Sequence, residues 1–113
     1  MDMSRQVIIA SSSYEEKYYF NEEFKDLPEA VKEDLIKIAV SFVEEVGGTF
    51  NIGFDVEDNV EIYVEASADE EDILYDEIGS RLILGRIEKE YKEFFEALTK
   101  WYTMVYIKKY TDK

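Results

Sequence analysis

Residues 31–56 read VKEDLIKIAVSFVEEVGGTFNIGFDV, and the spacing of the apolar positions changes within them. Val31, Leu35, Ile38, Ala39, Phe42, Val43 and Val46 recur at intervals of three and four, which gathers them on one side of a helix. After Gly47-Gly48 the interval drops to two: Phe50, Ile52, Phe54 and Val56 alternate with Asn51, Gly53 and Asp55. The glycine pair supplies the left-handed stop that ends a helix. An amphipathic helix running directly into a one-faced strand points to an α+β fold.

Working outward, Asp26 and Glu29 have capping-box spacing and Pro28 suits a first turn, so the helix is expected from about Leu27 to Val46. Downstream, Val60, Ile62 and Val64 alternate with Glu61, Tyr63 and Glu65, and Glu57-Asp58-Asn59 makes the hairpin turn. Upstream, Gln6–Ala10 reads as a β-branched strand and Ser11-Ser12-Ser13 as turn chemistry. Tyr14 to Phe20 admits two readings, a strand or a short helix opened by a Ser13–Glu16 capping box. Its consecutive aromatics favour the strand.

From Asp69 onward the pattern is helical. Asp69-Glu-Glu-Asp72 puts negative charge where a helix start favours it. Leu74, Ile78 and Leu82 form one stripe; Ile87, Tyr91, Phe94, Leu98, Trp101 and Val105 form a second. At about 100° per residue the two lie on roughly opposite faces. Either the chain breaks between Gly79 and Gly85, or one long helix has different partners at its two ends; the two glycines favour the break. Lys108-Lys109 complements the C-terminal end. The expected architecture is a single domain over residues 1–113 in the order β-β-α-β-β-α-α. It has an antiparallel sheet of about four strands with two or three helices packed on one face.

Composition narrows the chemistry. Asp and Glu number 27 against 13 Lys and Arg, for a net charge of −14, with 46% hydrophobic and 15% aromatic residues. That much apolar material fills a core, so the acidity does not signal disorder. Phosphate repulsion and the lack of a basic stretch argue against nucleic acid and against anionic membranes. A basic protein or a cation is electrostatically welcome. There is no cysteine and no histidine, which excludes disulfides, zinc–thiolate sites and iron–sulfur clusters. Val7-Ile8-Ile9-Ala10 is too short for a signal sequence. Phe94 to Ile107 is too short and too charged to span a bilayer, so a soluble cytoplasmic protein is expected.

Few residues suggest catalysis. Asp72 and Asp76, four apart, would share a helix face and are the weak candidates for metal ligands, but a solvated helix start is the favoured reading in so acidic a chain. The stretch Asp55 to Ala66 superficially resembles a calcium loop. However, Val60 stands where glycine is needed and Ala66 where the closing glutamate is needed, so no site is read there. There is no phosphate loop and no nucleophile elbow, no catalytic residue is assigned and no cofactor is expected. Aromatics are the more informative surplus. Tyr14, Tyr18 and Tyr19, with Phe95, Tyr102 and Tyr106 on the second flank of the last helix, are interface candidates. Tyr75, Asp76, Glu77 and Arg81 concentrate acids, a tyrosine and a scarce arginine at the expected break. An Arg81–Glu77 helix pair is the plain reading of the arginine.

Tyr14-Glu-Glu-Lys-Tyr-Tyr-Phe-Asn21, Leu27-Pro28, Glu44-Glu-Val-Gly-Gly48 and Tyr75-Asp-Glu-Ile-Gly-Ser80 together resemble a small family of uncharacterised proteins from clostridia and related Gram-positive bacteria. The resemblance covers nearly the whole chain. It implies a stand-alone cytosolic bacterial domain, with no activity, catalytic residue or cofactor attached. The functional expectation is a non-enzymatic module that binds another protein, a second copy of itself among the candidates. Two other readings stay open: an acidic inhibitor that mimics nucleic-acid charge, and a carboxylate-dependent cation binder or enzyme.

Overall fold

The computed structural model describes residues 5–57 and 59–107, with Tyr106 and Ile107 described at the backbone only. Strand β1 (Arg5–Ser12) is central. It pairs antiparallel with β2 (Lys17–Phe20) on one side and β3 (Thr49–Asp55) on the other, and β3 pairs antiparallel with β4 (Glu61–Ser67). The sheet order is β2-β1-β3-β4. Helices α1 (Glu29–Val46), α2 (Glu77–Glu90) and α3 (Lys92–Trp101) follow the expected order. A short 3-10 turn, Glu22–Phe24, precedes α1, and a π-helical end, Tyr102–Ile107, follows α3. The α+β expectation holds.

Register explains which face the helices cover. Ile52 lies between Ile9 and Val64, Phe50 between Ser11 and Ala66, and Phe54 opposite Ile62. These rows point one way and form one cluster with Leu35, Ile38, Ala39 and Phe42 of α1. Phe42 stacks on Phe50 with centroids 4.6 Å apart. A bulge between Val7 and Ile9 adds a residue to β1, so Ile8 and Ile9 are both fully buried. The buried Ser11 hydroxyl donates to the Ala39 carbonyl at 2.8 Å, joining the sheet to α1 without an orphaned donor.

Several local expectations are corrected. The capping box at Asp26 does not form: Pro28 is the cap of α1, and its carbonyl accepts from the Val31 and Lys32 amides. Burial of Phe24 and Leu27 fixes the chain just before it. Residues 13–16 form a turn, with Glu16 at φ 53°, and the strand begins only at Lys17. Asp69–Asp72 is a turn and not a helix start. Asp76 caps α2, its carboxylate accepting from the Gly79 amide at 2.9 Å. The helix then runs unbroken through Gly79 and Gly85, and the break falls at Tyr91, whose φ of −104° and ψ of 18° leave the helical region.

The last helix is also rolled relative to expectation. Its inward line is Ile87, Tyr91, Phe95, Leu98 and Tyr102, with Phe94 and Trp101 half-buried and Val105 exposed. Tyr102 lies 4.3 Å from Phe54 and 6.2 Å from Phe24, centroid to centroid. Phe95 and Tyr102, expected at an interface, are therefore core residues of this chain. Thr99 and Thr103 hydroxyls donate to the Phe95 and Thr99 carbonyls, each at 2.9 Å, where the helix widens into its π-helical end. Lys108 and Lys109 lie outside the described residues, as does the side chain of Tyr106.

Candidate functional site

The connection from β4 to α2, residues 68–76, is a run of turns, with the Asp72 amide donating to the Asp69 carbonyl at 2.9 Å and the Tyr75 amide to the Asp72 carbonyl at 3.3 Å, and two tyrosines pin it. From the β1–β2 turn, the Tyr14 hydroxyl donates to Asp72 Oδ2 at 2.7 Å and accepts the Asp69 amide at 3.1 Å. The hydrogen bond to the Asp72 carboxylate, ahead of lost hydration, pushes the Tyr14 phenol above the usual tyrosine range. At the other end the Tyr75 hydroxyl shares a 2.6 Å hydrogen bond with the buried Ser80. The Tyr75 ring packs over Gly48, which sits at φ 74°. A Cβ there would lie 2.8 Å from Cε1 of the ring and would also collide with the Ser67 carbonyl.

Between these two pins, Ile73 and Leu74 project into solvent at 91% and 90% exposure. Helix α2, which follows, exposes Ile78 at 74% and Leu82 at 71%. Its inward side carries Ser80, Ile83, Leu84 and Ile87, so α2 is apolar on two opposite sides. Of the sequence stripe Leu74, Ile78 and Leu82, only Ile78 and Leu82 lie on the helix; Leu74 sits in the turn before it. A partner for these side chains is not supplied by the described part of the chain. Around it stand Asp69, Glu70, Glu71, Asp76 and Glu77, all exposed.

Beside this face is a cleft of about 510 Å³ lined by Asp72, Tyr75, Glu77, Ser80, Arg81 and Leu84, among others. It brings together Tyr75, Glu77 and Arg81 of the segment singled out in the sequence, while Asp76 is turned to its capping role. Asp72 and Asp76 serve different partners, and no group of three or more metal-ligating side chains occurs among the described residues. The expected Arg81–Glu77 ion pair does not form among the described residues.

A family model matches residues 5–110, which span every element of the fold. The chain belongs to the Family of unknown function (DUF6145). No curated protein and no solved structure matches it. For this member of DUF6145 the site must therefore be argued from geometry alone.

The remaining surfaces offer less. Tyr18 and Tyr19 are exposed at 51% and 59%, but successive positions of β2 put them on opposite faces of the sheet. On the open face, the Arg5 guanidinium lies 4.6 Å from the Tyr63 ring centre, 2.9 Å from Glu65 and 3.5 Å from Asp55, an exposed cluster of modest energetic weight. A cleft of about 700 Å³ runs between β4 and α2–α3, with Glu61, Glu88, Lys92, Glu96 and Lys100 around Phe95. The Thr99 hydroxyl in it is committed to the Phe95 carbonyl. No helix among the described residues is long and apolar enough to cross a membrane.

Proposed function

We propose that this chain is a non-enzymatic protein-interaction module, acting in the bacterial cytoplasm, whose contact surface is the outward face of α2 with the turn before it. One observation carries the reading: Ile73 and Leu74 stand bare on a turn fixed from both ends, and Ile78 and Leu82 stand bare one turn apart on the helix that follows it. Burying a side chain of this size yields about 1.5–3 kcal/mol, and clustered exposed apolar side chains are characteristic of protein contact sites. The charge-mimic reading has less behind it. Exposed carboxylates occur on α1 on one side of the sheet and at Glu61 and Glu65 on the other, so they make no single phosphate-like array.

The test is capture from native lysate at about half-molar salt, where exposed ion pairs are screened within a few ångströms. Wild-type chain and an Ile78→Gln/Leu82→Gln variant serve as baits. Both positions are solvent-exposed, so the variant should keep its stability to within about 0.5 kcal/mol. A protein retained by the wild type and lost from the variant supports the module. Identical capture profiles overturn this surface as the site.

A further inference from the structure

We infer that the occupant of this face is a second copy of the chain, the two α2 helices pairing antiparallel about a twofold axis close to Leu82. The inference rests on the reading of α2 as a contact surface and adds the identity of what covers it. Three observations carry it.

The first is steric. Gly85 lies inside α2, where glycine weakens a helix, yet its backbone is ordinary and a Cβ there would meet nothing within 4 Å. No contact within the described chain requires a glycine at this position. Ile78 and Gly85 are seven residues apart, so they share one side of the helix about 10 Å apart along its axis. A twofold axis midway between them seats Ile78 of each copy over Gly85 of the other and brings Leu82 against Leu82. Bulk on one helix meets a notch on the other, twice, by symmetry.

The second is electrostatic. Residues 69–77 carry six carboxylates and no base, whereas residues 81–92 carry Arg81, Arg86, Lys89 and Lys92 against Glu88 and Glu90. The face is acidic at one end and basic at the other. A uniformly basic partner would oppose its own charge at one end, and a uniformly acidic partner would do so at the other. A reversed copy meets opposite charge at both ends. Lys89 continues the Ile78–Leu82–Gly85 line, and antiparallel pairing sets it near the acidic turn of the other copy. Arg86 is held only loosely, 3.4 Å from Glu45 with both side chains more than half exposed.

The third is area. Four bare side chains at these exposures leave on the order of 500 Å² of apolar surface per copy, so complete coverage of all four on both copies removes at most about 1,000 Å², the lower bound for a specific interface. A concentration-dependent dimer is the expected outcome, not an obligate one.

The test is sedimentation equilibrium of the full chain over a wide concentration range at about 0.15 M salt. The wild type should pass from monomer to dimer, and Ile78→Gln/Leu82→Gln should remain monomeric. Two charge variants report the orientation. Lys89→Glu/Lys92→Glu and Glu70→Lys/Glu71→Lys should each dimerise at least ten-fold more weakly alone. An equimolar mixture of the two should form heterodimers, because each acid–base contact is then restored. A dimer that survives the apolar substitutions, or a mixture no tighter than its components, overturns the pairing. A wild type monomeric throughout also overturns it. In that case, loss of a captured lysate protein on Ile78→Gln/Leu82→Gln substitution would leave the broader module reading standing, and unchanged capture would remove both.

Discussion

Tyr14 has a task that its exposure conceals. It is 43% exposed, yet its single hydroxyl both donates to Asp72 and accepts from Asp69, and so ties the β1–β2 turn to the turn that carries Ile73 and Leu74. The phenol must be protonated to donate. Its folded-state pKa is raised, chiefly by the hydrogen bond to Asp72. The stabilisation is therefore complete below the unfolded tyrosine value of about 10 and is lost as pH rises through the higher folded value. Alkaline titration followed by tyrosinate absorbance, wild type minus Tyr14→Phe, should isolate one tyrosine with a midpoint above 10. A midpoint at or below that of free tyrosine would contradict the geometry. The buried Tyr102, raised mainly by desolvation, is present in both proteins and cancels in the difference.

Helix α2 shows what periodicity reveals and what it leaves open. A glycine inside it, Gly85, and one packed under the turn before it, Gly48, make opposite predictions. Gly85→Ala adds a methyl in open space inside a helix and should raise monomer stability by about 0.5–1 kcal/mol. Gly48→Ala forces an L side chain to φ 74° against the Tyr75 ring and should cost at least about 1–3 kcal/mol. Urea midpoints measured at protein concentrations low enough to keep copies apart would read both, and a destabilising Gly85→Ala would mean that α2 is packed against something within the chain. The sheet and α1 were legible because their apolar spacing has one solution. The end of the chain was not: the lines Ile87-Tyr91-Phe94-Leu98-Trp101 and Ile87-Tyr91-Phe95-Leu98-Tyr102 share three members and differ only by aromatic for aromatic. Contact of Tyr102 with Phe54 and Phe24 selects the second, a choice made by tertiary packing. The glycines misled for a related reason. Inward residues Ser80, Ile83, Leu84 and Ile87 hold α2 helical straight through them, overriding local propensity. The stripe Leu74, Ile78, Leu82 was visible, but spacing alone says nothing about whether its partner lies inside the chain or outside it.

At the scale of the whole molecule, the charge of −14 sets a condition on self-association that the local acid–base match does not remove. Two copies repel as whole bodies over distances comparable to the molecule, whose principal extents are 50 × 30 × 23 Å, while the paired ends of α2 attract only near contact. Salt separates the two effects by range. At about 0.01 M the screening length is about 30 Å, and the net repulsion acts across the complex. At about 0.15 M it is about 8 Å, which removes most of that repulsion while leaving groups at contact distance partly unscreened. Dimerisation should therefore strengthen several-fold as salt rises from about 0.01 to 0.15 M. A basic protein partner predicts the reverse, because added salt would then screen a net attraction. Sedimentation of the purified chain at the two ionic strengths measures the sign directly. An association of copies that weakens over this interval would show that local charge pairing outweighs the net charge, and one indifferent to salt would leave only the apolar core of the α2 face to account for it.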